Sequence, residues 1–593
     1  MNTQISLQKN TRGAAAVILI LGISTFALII MTSVSVLALD ELHMGSSEIS
    51  TEKTFFAAES GINEALYRLT SNPVPQPFSM SLEGVAIDVT VSSNPVNPYQ
   101  RIITSQATDT TNKIRTLQII ANTSSFSGGF DYAVQSGQGG IEILNNSEVI
   151  GDIYSNGNLF GGTGAAISAK ANGTVWVARG IPLTSGPSQE DFPDNQFVAH
   201  ANTHTDVAQS FLAPADSPIK KIELYIMRNG TLPGDVNLKI AEDDGAGSPS
   251  TVTLVDKIIS KNDFPASFEW METEFDIGPL LTGGVTYWIV LDSPTFDAAK
   301  HLELGFNSDG TNYPDGEAKR SEDMQVGTWN PLNGDFSFKL SFGTGDTFAR
   351  QIEVTEDLHA HDVLKSEIAG DAYYQNISGD STVLGNSFPG SADPDPKPFP
   401  IQDVHINDWK SDAALGGEHV GDLHISGVIT LGPKKINGNL ILDGSAHLIV
   451  SGALWITGDV TFTNPGAAVS LDPSFGQGSS VIVADGKIDI NNNTAITGSG
   501  DPLSYLLLLS TNYSIDPGSP AINASNNSDA VIFYAKNGMV RLYNGSNLNG
   551  TSGYYVRLEE GSTITYDPNL SAFTIPSGGG GDVGVAFGTW VEK

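Results

Sequence analysis

The chain reads as mainly β. It predicts an N-terminal membrane-spanning α-helix, then a right-handed parallel β-helix (solenoid) ectodomain that carries an inserted, jelly-roll-like β-sandwich. Three observations predict this. Ala14 to Leu39 contains no charged residue. A short unit, Gly-x-Φ-x-Φ-x-Gly with Φ apolar, recurs from Gly151 and again beyond Gly421. Between these blocks lies text of another character, residues 190–345, with 25 acidic against 10 basic residues. Composition agrees: 63 of the 593 residues are Gly, 40% are apolar and only 16% are charged, which suits tight turns around apolar cores rather than acidic disorder.

Charge and cysteine usage exclude several classes. Thirty Lys+Arg against 66 Asp+Glu gives a net charge of −36, which repels phosphate backbones, so nucleic acid is not an expected partner. There is no Cys, which excludes disulfides, thiolate metal sites, cysteine nucleophiles and a lipid anchor on cysteine.

The first element is the helix. At 1.5 Å per residue, Ala14–Leu39 rises about 39 Å, more than a hydrocarbon core of ~30 Å. Lys9 and Arg12 precede it and Asp40 and Glu41 follow, so the bulk of the chain is expected outside the cytoplasmic membrane. A cleaved secretory peptide has an apolar core of only about 7–15 residues, so an uncleaved span is the reading here. Beyond it, Phe55, Ala58, Ile62, Ala65, Leu66 and Leu69 recur at helical steps and paint one apolar stripe. Pro73 is the first breaker, and Gly45-Ser46-Ser47 is a candidate bend.

These residues carry a resemblance. Arg12-Gly13-Ala14-Ala15-Ala16-Val17-Ile18-Leu19-Ile20-Leu21, followed by Phe55-Phe56-Ala57-Ala58-Glu59-Ser60-Gly61-Ile62, resembles the N-terminal segment of PilX-type minor pilins. It is also similar to the K-type pseudopilins of type II secretion. The resemblance spans roughly the first 70 residues, on the scale of one helix. It implies that a prepilin peptidase cuts Gly13–Ala14, that Arg12 belongs to the recognised leader and that Ala14 becomes the N-methylated terminus. Many pilins carry a glutamate five residues after the cut; Ile18 stands there, as in K-type pseudopilins, which argues against an ordinary major subunit. The rival reading of the same residues is a generic signal anchor.

Six segments follow: a leader over 1–13, the transmembrane and amphipathic helix over 14–72, and a small β-sheet region over 73–125 expected to pack on the helix. The first part of the β-helix covers 126–189, the sandwich 190–345, and the β-helix continuation with a C-terminal β region 346–593. Strands of the small sheet show as alternation in Val85–Val91 and Ile114–Ile119. The repeat shows in Gly151-Asp152-Ile153-Tyr154-Ser155-Asn156-Gly157 and Gly421-Asp422-Leu423-His424-Ile425-Ser426-Gly427. It shows again in Gly438–Gly444 and Gly452–Gly458. Stacked coils bury such residues only against neighbouring coils, so Leu423 and Ile425, Leu440 and Leu442, and Leu454 and Ile456 are expected to stack inward. His424, Ile441 and Trp455 would then share the outer face. Ser391–Pro400, rich in Pro, is expected to be an extended loop, and Gly578–Gly581 a flexible run.

Chemistry-bearing residues are few. Asp357, His359 and His361 alternate as one strand face would need to present a metal, but a full ligand set is missing. His200 and His204 share a helical spacing in text that reads as loop or strand. Glu242-Asp243-Asp244-Gly245 is the candidate Ca²⁺ turn, without the spaced acids of an EF-hand loop. Trp270, Trp288 and Trp329 are candidates for stacking on sugar rings, with core packing the commoner fate of such residues. No G-x-S-x-G, phosphate loop or H-E-x-x-H occurs, and repeat acids stand singly in turns, so no catalytic centre is expected.

The expected function is that of a minor pilin-like structural subunit of a type IV pilus or related filament, at or near the tip, displaying a surface for adhesion or contact. Its expected partners are other pilins through the helix, the prepilin peptidase, the inner membrane before assembly, and a surface polysaccharide. No cofactor is expected beyond a candidate Ca²⁺. The alternatives are a permanently anchored carbohydrate-binding surface protein and, third, a β-helix enzyme acting on polysaccharide.

Overall fold

The computed structural model describes residues 11–71, 77–93, 100–122, 125–127, 129–162, 166–200, 206–293, 297–308, 313–322, 328–463, 466–491, 494–526, 532–572, 574–576, 584–585 and 591–592. The fold is mainly β with a long apolar helix at its start, arranged as two units: residues 1–124 with 578–593, and residues 125–577.

The first unit is built on α1 (Thr11–Ser71), 61 residues without interruption, so Gly45-Ser46-Ser47 does not break it and it ends just ahead of Pro73. Its length is ~92 Å at helical rise. The half from Val17 to Met44 leaves its apolar side chains exposed, whereas Ala57, Ala58, Ile62, Ala65 and Leu69 are buried. They pack on an antiparallel sheet, β1 (Phe78–Leu82), β2 (Val85–Ser93), β3 (Gln100–Thr108) and β4 (Ile114–Asn122), through Ile87, Val89, Ile103, Leu117 and Ile119. Full burial of Ile62 or Leu69 contributes about 1.5–3 kcal/mol each. Two short C-terminal strands, Gly584–Val585 and Val591–Glu592, pair with β4, so the end of the chain belongs to this sheet. The Gly578–Gly581 run lies outside the described residues.

The second unit stacks short strands in parallel. Lys434–Asn437, Leu440–Leu442 and His447–Val450 pair with Leu454–Ile456, Val460–Phe462 and Ala468–Leu471, and these pair in turn with Ser480–Ala484, Ile488–Ile490 and Ala495–Thr497. Leu423 stands over Leu440 and Ile425 over Leu442 as the repeat implies. Leu440, Leu442, Leu454 and Ile456 are buried as expected; Leu440 and Leu442 meet Val460 and Phe462, and Leu454 and Ile456 meet Lys434 and Ile436. Each coil contributes two neighbouring strands of similar text, and the 14-residue spacing from Gly438 to Gly452 joins the second strand of one coil to the first strand of the next. Trp455 therefore flanks Lys435 and Val483, not Ile441.

The recurring Gly-Asp or Gly-Asn pair has a direct cause. Asp422 Oδ1 accepts the Asn439 N–H at 2.8 Å, Asn439 Oδ1 the Asp459 N–H at 2.8 Å, and Asp459 Oδ1 the Lys487 N–H at 2.7 Å. One side chain per coil thus satisfies a backbone donor of the next. The preceding glycines let the coils meet closely: a Cβ on Gly438 would lie 2.6 Å from Gly421 O, and one on Gly486 2.7 Å from Gly458 O.

Coils do not stack in chain order. The entering strand Ser125–Ser127 pairs antiparallel with the leaving strand Thr574–Pro576. Val134–Ile143 starts the stack, and Ile153–Ser155, Val175–Val177, Leu358–Leu364, Ala372–Ile377 and Ser387–Pro389 follow on one side. Residues 391–400 then run back across that face as a strap, and α2 (Asp403–Leu415) buries Ile406, Trp409 and Ala413. The second series, from Glu418–Val420 onward, ends on Gly550–Leu558, which pairs parallel with Val134–Ile143. The first coil therefore lies beside the last, and Arg557 Nη1 meets Glu142 Oε2 at 3.0 Å across the joint.

The insert leaves the stack after Val175–Val177 and returns at Phe348–Arg350; the Thr344 and Gly345 N–H groups donate to Ile181 O at 3.1 and 3.0 Å, so its ends are tied together. One antiparallel sheet orders Thr184–Gln189, Phe338–Phe342, Ser217–Arg228, Leu302–Asn307 and Asp194–Val198. The other orders Pro249–Ile259, Val236–Asp243, Thr286–Asp292, Asp206–Leu212 and Ala318–Ser321. Phe211, Ile222, Ile240, Ile289, Phe306 and Phe338 fill the space between them. Because Thr184–Gln189 pairs with Phe338–Phe342, the insert takes in residues that the sequence assigns to the first part of the stack.

Candidate functional site

The helix supplies the first candidate surface. Val17 to Leu69 contains an 18-residue window of mean hydropathy 2.5 with none of it buried, long and apolar enough to cross a membrane. Arg12, Gly13 and Ala14 fall in the first turn of α1, and their side chains lie outside the described residues. The other half of the helix is held by fit. A Cβ on Gly61 would lie 2.3 Å from Ser105 Oγ and 2.8 Å from Ile87 Cγ2, so this position brings the helix backbone against the sheet. Polar ties fix the approach. Lys113 Nζ donates to Ser47 O at 2.9 Å, and Ser50 Oγ donates to Asp109, whose carboxyl is held well below the usual range by that bond and the Lys113 N–H. The Phe55–Ile62 text carries this role for Gly61, a part the apolar stripe alone does not reveal.

Trp288 and Trp329 are brought together, and Trp270 stands apart on a different sheet. Trp270 stands on Glu269–Glu274 of one sheet, with Lys339 Nζ 4.1 Å from its ring centroid and Tyr225 and Phe192 rings at 5.4 and 6.3 Å. Trp288 is buried on the other sheet and donates Nε1–H to Asp243 Oδ2 at 3.0 Å. Trp329 packs beside Trp288, Ala208 and Val290. Only Trp288 is fully buried; Trp270 and Trp329 are partly exposed.

The metal candidates have other partners. Asp357 Oδ1 accepts the Asp371 N–H at 2.8 Å, and His361 Nδ1 meets Asp393 Oδ2 at 2.8 Å. His359 is a rung of an aromatic ladder, with Trp176 at 5.9 Å and 11° on one side and Tyr373 at 4.3 Å and 2° on the other. Tyr154 and Phe388 extend it. Four of the five rungs carry a mark in the sequence, an aromatic three residues after a turn glycine: Gly151 and Tyr154, Gly173 and Trp176, Gly370 and Tyr373, Gly385 and Phe388, whereas Glu356 stands at that place before His359. Burial pushes the His359 pKa down, whereas the Asp393 hydrogen bond pushes that of His361 up. The strap covers part of this face: Tyr154 Oη donates to Asp395 O at 2.5 Å, and Asn156 Nδ2 to Lys397 O at 2.7 Å.

At the acidic turn, Asp243 Oδ1 accepts the Gly245 N–H at 2.8 Å, and Asp244 Oδ1 accepts those of Ala246 and Ser248 at 2.7 and 3.0 Å. The carboxylates cap their own hairpin. His200 packs against Phe197 and His301 at 5.0 and 4.8 Å, and His204 lies outside the described residues. Among the described residues no group of three His, Asp or Glu is placed to hold a metal ion.

No family model matches the chain, and no curated protein matches its sequence. Among solved structures, the crystal structure of the competence-associated pilin ComZ from Thermus thermophilus is similar over 91% of this chain and 97% of that one, at 11% identity and a TM-score of 0.19. A likeness that loose carries no inference about this chain.

Proposed function

We propose that the chain is a minor pilin-like structural subunit of a type IV pilus or related filament, at or near the tip, and not an enzyme. One observation carries the reading: a single helix whose first half is bare and apolar while its second half is clamped, through Gly61, on an antiparallel sheet. A bare apolar half needs a bilayer before assembly and neighbouring helices afterwards. In this reading the stacked coils form a right-handed parallel β-helix and the insert a jelly-roll-like display module, lying outside the inner membrane and then on the filament. Ile18 cannot offer a carboxylate to a neighbour's terminal amine, whereas Ala14 can offer its own amine to a subunit below, which suits a first-placed subunit.

The test is the mature N-terminus. Mass spectrometry of protein from sheared filaments is expected to begin at N-methylated Ala14, and Gly13→Val is expected to retain the leader and stay out of filaments. Wild-type protein in the cell envelope that keeps residues 1–13 would overturn this and favour a permanently anchored surface protein.

A further inference from the structure

The insert springs from one corner of the stack, and that corner line carries a second departure. In most coils this corner is short: Asn156-Gly157-Asn158 and Asp485-Gly486-Lys487 join two neighbouring strands, and within Ile532–Tyr543 and Gly550–Leu558 it is only a register shift, between Ala535 and Met539 and between Gly553 and Tyr555. Between Leu506–Ser510 and Ile522–Ser525 the same corner runs from Thr511 to Ala521. The sandwich lies along this line. Tyr554 Oη donates to Gly278 O at 2.6 Å, and Ile277 and Leu280 pack on Met539, Tyr554 and Tyr555. Past that contact the two surfaces part around Tyr513. One cavity of about 520 Å³ lies between Glu242, Thr251 and Thr253 of the sandwich and Asp485, Asn512 and Asp516 of the stack. A second, of about 510 Å³, lies between Asp216 and Thr282 on one side and Asn407, Lys410 and Lys536 on the other. Thr511 and Tyr513 line both.

We propose that this cleft binds a neutral oligosaccharide. Each cavity falls within the range of roughly 300–1,000 Å³ usual for small-ligand sites. The walls offer carboxylates, an amide and hydroxyls, which suit a ligand rich in O–H groups, and the exposed Tyr513 ring offers an apolar face to the C–H face of a pyranose. The lysines that reach the cleft are engaged: Lys410 Nζ with Asp485 Oδ1 at 2.5 Å, Lys536 Nζ with Asp403 Oδ2 at 2.7 Å, and Lys487 Nζ donating to Ser519 Oγ at 2.5 Å. Carboxylates outnumber them on the walls, so a phosphate, sulfate or uronate ligand would be repelled.

Isothermal titration of the full chain in detergent micelles tests it, with maltotriose, mannotriose and triacetylchitotriose as neutral probes, and 3′-sialyllactose and oligo-dT as anionic ones. At least one neutral trisaccharide is expected to bind and both anions to fail. Tyr513→Ala is expected to weaken the neutral ligand by about tenfold or more, the size of one lost ring contact. Asp516→Asn is expected to weaken it as well. Tyr513→Phe keeps the ring and is expected to bind, which separates a lost contact from a misfolded cleft; His424→Ala, on the exposed outer face, is expected to change nothing. Binding of the anions alone, silence from every neutral probe, or neutral binding that survives Tyr513→Ala would overturn the proposal.

Discussion

The stack and the sandwich are both sheets with apolar cores, yet they pair strands in opposite ways. In the stack each strand meets, in parallel, its counterpart one coil away, and the same three residue types recur: a glycine for approach, an Asp or Asn for the next coil's N–H, and inward aliphatics. In the sandwich the first strand, Thr184–Gln189, meets one of the last, Phe338–Phe342, antiparallel and with a bulge. A repeated neighbour makes a structure approximately a sum of local terms, whereas distant pairing makes it all-or-none. Damage should therefore spread through the sandwich and stay put in the stack.

The largest effect is expected from Phe338→Ala, which empties a fully buried site between the two sandwich sheets and costs about 3–5 kcal/mol. Hydrogen exchange should then show all sandwich strands losing protection together while Leu440–Leu442 and Val460–Phe462 keep theirs; a loss confined to Phe338–Phe342 would break the comparison. Gly438→Ala comes next, since its Cβ would meet Gly421 backbone at 2.5 Å. About 2–3 kcal/mol is expected, with lost protection limited to the coils around 421–442. Smaller again is Asn439→Ala. It removes the acceptor of the Asp459 N–H and should cost ~1–2 kcal/mol, read as faster exchange of that one amide.

The smallest effect is on pH. The Asp393 hydrogen bond, with the charges of Asp346 and Asp362, raises the His361 pKa above its ordinary 6.5, so that contribution is full below 6.5 and fades as pH rises through the raised value. His359 is shifted the other way, chiefly by burial and against the charge of Asp357, so its contribution is lost as pH falls below 6.5. Protection of the Lys397 amide, which donates to Asn156 Oδ1 in the strap, should therefore peak near the ordinary histidine value. His361→Ala should remove the decline on the alkaline side alone.

What could be read in the sequence follows the same divide. Alternation and the Gly-Asp pair identify parallel coils because the signal repeats wherever the neighbour repeats. That Leu440 pairs with Val460 rather than Leu454 has no local mark, because two strands of one coil share nearly the same text. The joint between Gly550–Leu558 and Val134–Ile143 has no local mark, since it forms between segments that nothing in either strand requires to meet. His359 read as a ligand candidate because spacing shows a face but not what stacks on it. The cleft at Tyr513 arises from two distant segments converging and left no motif.

That joint also has a meaning in time. Val134–Ile143 emerges early in synthesis, but the strand that covers one of its edges, Gly550–Leu558, is made roughly 400 residues later, which at about 5–20 residues per second is a wait of about 20–80 s. For that interval a ten-residue strand stands with a bare edge, able to recruit any other extended chain. The cell must therefore keep the growing polypeptide shielded or unfolded until its last coil arrives, and the yield of this protein should be governed by how well that interval is guarded.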